Sequence, residues 1–267
     1  VTAELLRLGV QLRDQGYAVL AGLYGAAEVA AMRAAVLGLY DGLGRPPTWA
    51  QVPVWPQPWV EVSTSGLVMH RLLGEAPHLQ HGLLHPHLVQ VLQAALGPHG
   101  YLEFVAAQVC DKTRPFFAWH HHAGGIDDEL FRRQGRLPDV RPVERVSVII
   151  YLEAMQAGSG QLLVDTQRRV GAAPFAVDQA DWPGHLRVSG PPGTVVLFDQ
   201  GQWHAVTPRT DDGLRAFVGM WFAAAASRRA DTVDSTLDDQ EFSDPLVRQA
   251  VACRPHRTAP TTCEVHG

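Results

Sequence analysis

Lysine is almost missing from this chain. Of 22 basic residues only Lys112 is a lysine, in a sequence otherwise rich in Ala, Gly, Pro and Arg. The bias points to a GC-rich genome and says nothing of mechanism. Positive charge is also short in sum, since 27 acidic residues leave a formal net charge of -5 and a pI near 6.2. No run of Lys and Arg supplies the field that tracks phosphates, so nucleic acid is excluded as an expected partner. Cysteine is scarce as well: Cys110, Cys253 and Cys263 are too few and too far apart for a disulfide framework or a thiolate zinc site. No apolar run approaches the roughly 20 residues that cross a bilayer, and no charged segment followed by a long apolar one opens the sequence. The expectation is a cytoplasmic protein with no membrane partner.

What is present is enough apolar material, 46% of 267 residues, for a sizeable core. The front of the chain reads as helical scaffold. Residues 3–14 form one expected helix and 16–22 a short strand; then Val29, Met32, Val36 and Leu39 recur at spacings of three and four, which marks a second helix with one apolar stripe. The Pro- and Trp-rich segment 45–60 has no period and is expected to be an ordered loop. A further helix over 86–96 carries Leu88, Val91, Leu92 and Leu96 and stops at Gly97.

From residue 101 the texture changes to short β-like runs over 101–110, 115–121, 144–152, 161–165, 185–188, 194–199, 202–207 and 214–222, punctuated by Pro, Gly, Asp and Ser. Helices in front and strands behind predict an α+β fold with a jelly-roll core. The expected organisation is a single domain over 1–267, with the scaffold over about 1–100, the core over about 101–223 and a tail of one or two short helices from 227.

Three consecutive histidines interrupt the second of these runs, in FFAWHHHAGGIDD (116–128). Successive strand side chains point to opposite faces, so an extended backbone puts His120 and His122 on one face and turns His121 away. Two imidazoles so placed make a bidentate metal site. The best-placed third ligand is His204, just beyond the apolar run of 193–206. Three ligands on one side of a metal leave positions open for substrate and O2, as in non-haem iron chemistry. His70, His78, His81, His85, His87, His99, His185, His256 and His266 are read as structural or solvated.

After His204 the turn signal TDDG (210–213) suggests a hairpin in which His204 pairs with Gly219, with Arg215 on the same face. A guanidinium fork there suits a carboxylate. Pairing of Arg215 with Asp199, Asp211 or Asp212 at the surface is the competing reading. Trp119, Gln108 and Trp221 are taken as candidates for a substrate pocket, and Arg132, Arg133 and Arg136 as residues able to meet an anion.

The opening GYAVLAGLYGAAEVAAMRAAV, HPHLVQVLQAALG before a strand, Lys112, Trp119–His120, the GSGQLL step (158–163) and PGTVVLFDQGQWHAVTPRTDDGLR (192–215) occur in this order. The ordered set, with eleven residues from His204 to Arg215, resembles the phytanoyl-CoA dioxygenase-like family of iron(II)/2-oxoglutarate oxygenases over roughly residues 14–223. The resemblance implies a double-stranded β-helix, Fe(II), 2-oxoglutarate and O2, and a small-molecule substrate. It implies His120 and His204 as metal ligands, Arg215 as the clamp on 2-oxoglutarate, and Lys112 as a second carboxylate contact. Where the family keeps an aspartate, this chain has His122. A neutral imidazole there gives a 3-His face, which also fits dioxygenases that use no 2-oxoglutarate. Shifted registers, His121-x-Ala123 or His122-x-Gly124, resemble the halogenase version. Asp127 and Asp128 are alternative ligands beyond the Gly124–Gly125 break. A small-molecule binding protein with a degenerate metal site is the non-enzymatic alternative. Since His204 is the one ligand candidate brought by a separate strand, His204→Ala is expected to abolish iron binding with the fold intact; full iron occupancy in that variant would refute its role.

Overall fold

Leu5, Leu8 and Leu12, spaced by three and four, are all buried on helix α1 (Thr2–Gln15), the placement that an apolar helical stripe requires. The structure, a computed structural model, describes residues 2–122, 143–168, 173–227 and 234–252. Gly9 lets α1 approach helix α5 (Pro86–Leu96) closely: a Cβ at Gly9 would lie 2.4 Å from the Cβ of Ala94. Helix α2 (Ala26–Gly42) buries Val29, Met32, Val36 and, in its last turn, Tyr40. Leu39, expected to complete that stripe, is partly buried against the same core. Two short helices, α3 (Leu72–Glu75) and α4 (Gln80–Leu83), lie between, and α6 (Pro245–Ala252) falls in the tail. Pro86 occupies the first turn of α5, where it sacrifices no hydrogen bond, and the side chain of His85 accepts from the His87 N–H as its cap.

Twelve strands are described: β1 (Tyr17–Leu20), β2 (Val54–Gln57), β3 (Val60–Ser63), β4 (Gly66–His70), β5 (Tyr101–Cys110), β6 (Phe117–His120), β7 (Arg145–Tyr151), β8 (Leu162–Asp165), β9 (His185–Arg187), β10 (Val195–Asp199), β11 (His204–Val206) and β12 (Arg215–Ala223). They form two antiparallel sheets. The major sheet has the order β1-β10-β7-β12-β5-β4-β3-β2 and the minor sheet β6-β11-β8-β9. The fold is the expected double-stranded β-helix, buttressed by helices.

Alternation sorts the major sheet into two faces. Val105, Ala107, Val109, Val146, Val148, Ile150, Ala216, Val218, Met220 and Phe222 pack outward on the helices. Ile149, Tyr151, Phe217, Val196 and Phe198 face inward, against Leu162, Val164 and Val206 of the minor sheet. The metal-binding candidates belong to this inner space. At the far end of β12 the register shifts between Trp221 and Phe222, and Glu103 is the extra residue on β5. It meets Arg145 in a buried bidentate pair, both contacts 2.9 Å.

Two expectations are corrected here. The segment 45–60 is not loop throughout, since it contains β2 and enters β3, which with β4 extend the major sheet beyond β5. All four residues of β2 are exposed; an edge strand wet on both faces has no alternation to read and tolerates Pro56. The hairpin pairing of His204 with Gly219 does not form either. His204 lies opposite His120 and Val164, and Gly219 opposite Ala106 and Ile149. TDDG turns the chain from the minor sheet into the major one, so β11 and β12 never share a ladder. The tail contains a short 3-10 turn (235–239) and α6, and its last stretch lies outside the described residues.

Leu12 is fully buried between scaffold and sheet. Leu12→Ala is expected to cost about 2–5 kcal/mol, read as a lower urea midpoint at unchanged slope.

Candidate metal centre

His120 on β6 and His204 on β11 are direct cross-strand partners, so their side chains leave the sheet on the same side within reach of one another. Their rings lie 4.1 Å apart between centroids. His122 follows β6, and its backbone N–H donates to the Gln200 carbonyl at 2.7 Å, which keeps the chain extended for the two residues that matter. Its ring is 4.9 Å from that of His120 and 5.2 Å from that of His204. One ring nitrogen from each of the three falls within 4.8 Å of the others.

Backbone carbonyls set the tautomers. His120 Nδ1 donates to Ala118 O at 2.7 Å and His204 Nδ1 to Gln202 O at 2.9 Å, so Nε2 carries the lone pair in each neutral ring. His120 Nε2 is shielded from solvent and has no hydrogen-bond partner among the described residues. Burial, reinforced by the neighbouring His122, pushes His120 down to about 3. Burial, with His120 and His122 beside it, puts His204 well below the ordinary histidine range. Both are held neutral at physiological pH, the form that binds a cation. An orphaned buried Nε2 within a set of nitrogen donors fits a borderline divalent metal such as Fe(II).

His121 takes the other face. It is buried and meets Trp203 edge-on at 4.7 Å. Trp119 shares that face, stacks on Trp182 at 4.3 Å and donates Nε1–H to Gln179 O at 2.9 Å. As a pocket residue Trp119 is therefore corrected: the alternation that turns His120 inward turns Trp119 outward, into an aromatic layer behind the minor sheet. Gln108 and Trp221 do face inward. Gln108 lies opposite Phe217 and donates its amide to the Ser65 carbonyl. Trp221 lies flat across Gly219, where a Cβ would be 2.5 Å from the indole, and stacks on Phe104 at 4.2 Å. Phe198, Ser147, Trp221 and Phe104 form one row across β10, β7, β12 and β5. Since the Phe198 ring is 4.7 Å from that of His204, Trp221 stands two strands, roughly 10 Å, along this row from Phe198.

Arg215 is 2% exposed. Its Nη2 donates to the Tyr151 hydroxyl at 3.3 Å, and its guanidinium carbon sits 4.5 Å from the Phe217 ring centre. The competing acids are all engaged elsewhere: Asp199 with Arg168, Asp211 with Arg209, Asp212 with Lys112. Lys112 is thereby corrected as an interior contact, because its exposed ammonium pairs with Asp212 at the surface. The buried cation of that segment is Arg114, 1% exposed. Sequence reading passed over it, since nothing in DKTRP distinguishes a buried arginine from a solvated lysine two residues away. Arg132, Arg133, Arg136, Ala123, Gly124, Asp127, Asp128, His256 and His266 lie outside the described residues. A surface groove between α1 and α5, lined by Leu5, Leu6, Gln90, Gln93, Ala94 and Pro98, is on the helical side of the major sheet, away from the histidines.

A jelly roll with three imidazoles converging inside and a buried arginine on the inner face of the major sheet fits the class of non-haem metal oxygenases. The family model of phytanoyl-CoA dioxygenase (PhyH) matches residues 12–217. The chain belongs to that family, and it is an enzyme, a non-haem iron oxygenase. The sequence matches no curated protein. Among solved structures it is similar to EctD from S. alaskensis with 2-oxoglutarate and 5-hydroxyectoine (21% identity, 83% of this chain and 77% of that one, TM-score 0.61). It is also similar to SnoK, a non-heme alpha ketoglutarate dependent carbocyclase from nogalamycin biosynthesis (19%, 92% and 93%, 0.59), and to AviO1 from Streptomyces viridochromogenes Tue57 (18%, 84% and 96%, 0.60). At these identities the likeness is one of fold.

The geometry separates His122 from His121. In anaerobic Fe(II) titration His122→Ala is expected to weaken binding more than about tenfold, and His121→Ala to leave it nearly unchanged; the reverse ranking would move the motif to His121.

Proposed function

We propose that this chain is a cytoplasmic Fe(II)- and 2-oxoglutarate-dependent oxygenase of a small molecule, working as a single catalytic domain. His120, His122 and His204 hold the iron and Arg215 receives the far carboxylate of 2-oxoglutarate. The observation that carries this is the pairing of two features in one inter-sheet space: three imidazoles within ligand distance of one another, and a buried Arg215 whose Nε has no partner among the described residues. A buried guanidinium without an acid is costly unless an anion arrives to meet it.

With 2-oxoglutarate and O2, Fe(II) in this place supplies the oxidising chemistry that converts the 2-oxo acid to succinate and CO2 and puts oxygen into a substrate C–H bond. The protein's own part is positional. The carbonyls of Ala118 and Gln202 hold the imidazole tautomers; Tyr151 and Phe217 fix the guanidinium by a hydrogen bond and a ring face. The Phe198 and Phe117 rings, packed against His204 and His120, keep water from the donors. Trp221 and Phe104 offer a substrate an aromatic surface on the same face of the sheet. Hydroxylation is the default outcome, and the nogalamycin enzymes among the structural neighbours favour a substrate from bacterial secondary metabolism.

One observation favours a second reading. With His122 in the place of the family's aspartate the donor set is wholly neutral, as in 3-His dioxygenases that act on substrate without 2-oxoglutarate; Arg215 then binds the substrate itself. The halogenase-like reading loses support, because His122 fills the position that a halide would need vacant.

Succinate formed from 2-oxoglutarate in the presence of Fe(II) and O2 distinguishes the two. Arg215→Ala is expected to raise the 2-oxoglutarate requirement by about tenfold to a hundredfold with iron still bound. Substrate turnover by the wild type without any 2-oxo acid would overturn the first reading in favour of the second.

A further inference from the structure

Arg114 is buried as deeply as Arg215 and, like it, pairs with no carboxylate among the described residues. Its Nη2 donates to Thr207 O at 2.8 Å and its Nη1 to Pro115 O at 3.1 Å, while Nε has no partner among the described residues. Burial disfavours its protonated form most; the adjacent Cys110 favours that form, and the charge of nearby Arg215 opposes it. Both side chains border Gly160: a Cβ there would lie 3.3 Å from Arg215 Cδ and 3.8 Å from Arg114 Nη2. Gly160 has φ +81, so both its backbone conformation and the crowding favour glycine.

Topology explains the convergence. The chain passes between the two sheets from β5 to β6, from β7 to β8 and from β11 to β12; Arg114 lies in the first crossing, Gly160 in the second, and Thr207 opens the third, which ends at Arg215. All meet at one end of the inter-sheet space. Thr207 is three residues along from His204, roughly 10 Å of extended chain. A diacid with its 2-oxo end at the imidazoles and its other carboxylate at this end fits the span.

Two cations side by side in a dry interior repel one another and cost desolvation twice. Such a pair is much less costly when something negative sits between them. We propose that Arg114 and Arg215 together form the seat for the far carboxylate of 2-oxoglutarate, with Arg114 a second binding residue that makes this enzyme strongly selective for dicarboxylate 2-oxo acids. The inference rests on the reading of the site as one that binds 2-oxoglutarate. A metal held by neutral imidazoles alone leaves the empty site more positive than a carboxylate ligand would, and a dianion is the charge that suits it.

The test is equilibrium dialysis of the Fe(II)-loaded protein, under anaerobic conditions, with 2-oxoglutarate and with 2-oxobutyrate, which has the same chelating end and no far carboxylate. Arg114→Gln is expected to bind 2-oxoglutarate about tenfold to a hundredfold more weakly, with its 2-oxobutyrate and iron binding unchanged. Arg114→Lys keeps the charge in the buried position and guards against loss of the fold; it is expected to lose about threefold or more, because a point charge does not replace the fork. Binding of 2-oxoglutarate at wild-type strength by either variant would overturn the inference and leave the proposed function standing. Equal loss for both acids would also overturn it, as the mark of a merely structural residue. If the wild type binds 2-oxobutyrate as well as 2-oxoglutarate, the carboxylate seat is absent. If it binds neither, the proposed function fails first.

Discussion

The ladder between β6 and β11 is the contact on which the site depends. It sets His120 opposite His204, and every other placement follows from the two-residue period of extended chain. His122 continues the inward series; Trp119 and His121 take the outward one. The outward series is not idle, because Trp119, Trp182 and Trp203 with Leu163 and Ala205 form a core of their own behind the minor sheet. A slip of one residue would put Trp119 at a metal position and turn His120 into the aromatic layer, so this packing fixes the register.

The inner space is graded from end to end. At the histidine end the polar groups face apolar rings, Phe198 and Phe117, and burial holds the imidazoles neutral. In the middle, Tyr151, Phe217, Val206 and Leu162 are apolar save for one hydroxyl. At the crossover end two arginines stand without carboxylate partners among the described residues. On the proposed function, this arrangement separates a cation site from an anion site by an apolar passage, so that a molecule bearing charge at both ends would be held in one direction. Buried pairs elsewhere are complete: Arg145 and Glu103 satisfy each other bidentately, which makes the incompleteness of Arg114 and Arg215 informative.

Much of this was legible in the sequence, for a stated reason in each case. Periods of three and four found α1, α2 and α5; apolar runs between turn residues found the strands of the core; parity found His120 with His122 and sent His121 away. The resemblance named the family from His204, Arg215 and the GSGQLL step, and Gly160 of that step turns out to border both arginines. These are local properties, carried by neighbours in the chain.

What only the tertiary structure decided is which strands share a ladder and which cations reach the interior. The turn at 210–213 looks the same whether it closes a hairpin or crosses between sheets, so the partner of His204 is set by the long-range closure of the jelly roll. β2 is exposed on both sides and leaves no pattern. Lys112 and Arg114 differ by two residues, yet one pairs with Asp212 at the surface and the other is sealed beside Arg215, because burial belongs to the packed crossings and not to the residue type. The sequence by itself determined the main helices and the core strands, the facing of the histidines and the family; the meeting of three crossovers determined the charge at the far end of the site, since desolvation exists only once the sheets have closed over it.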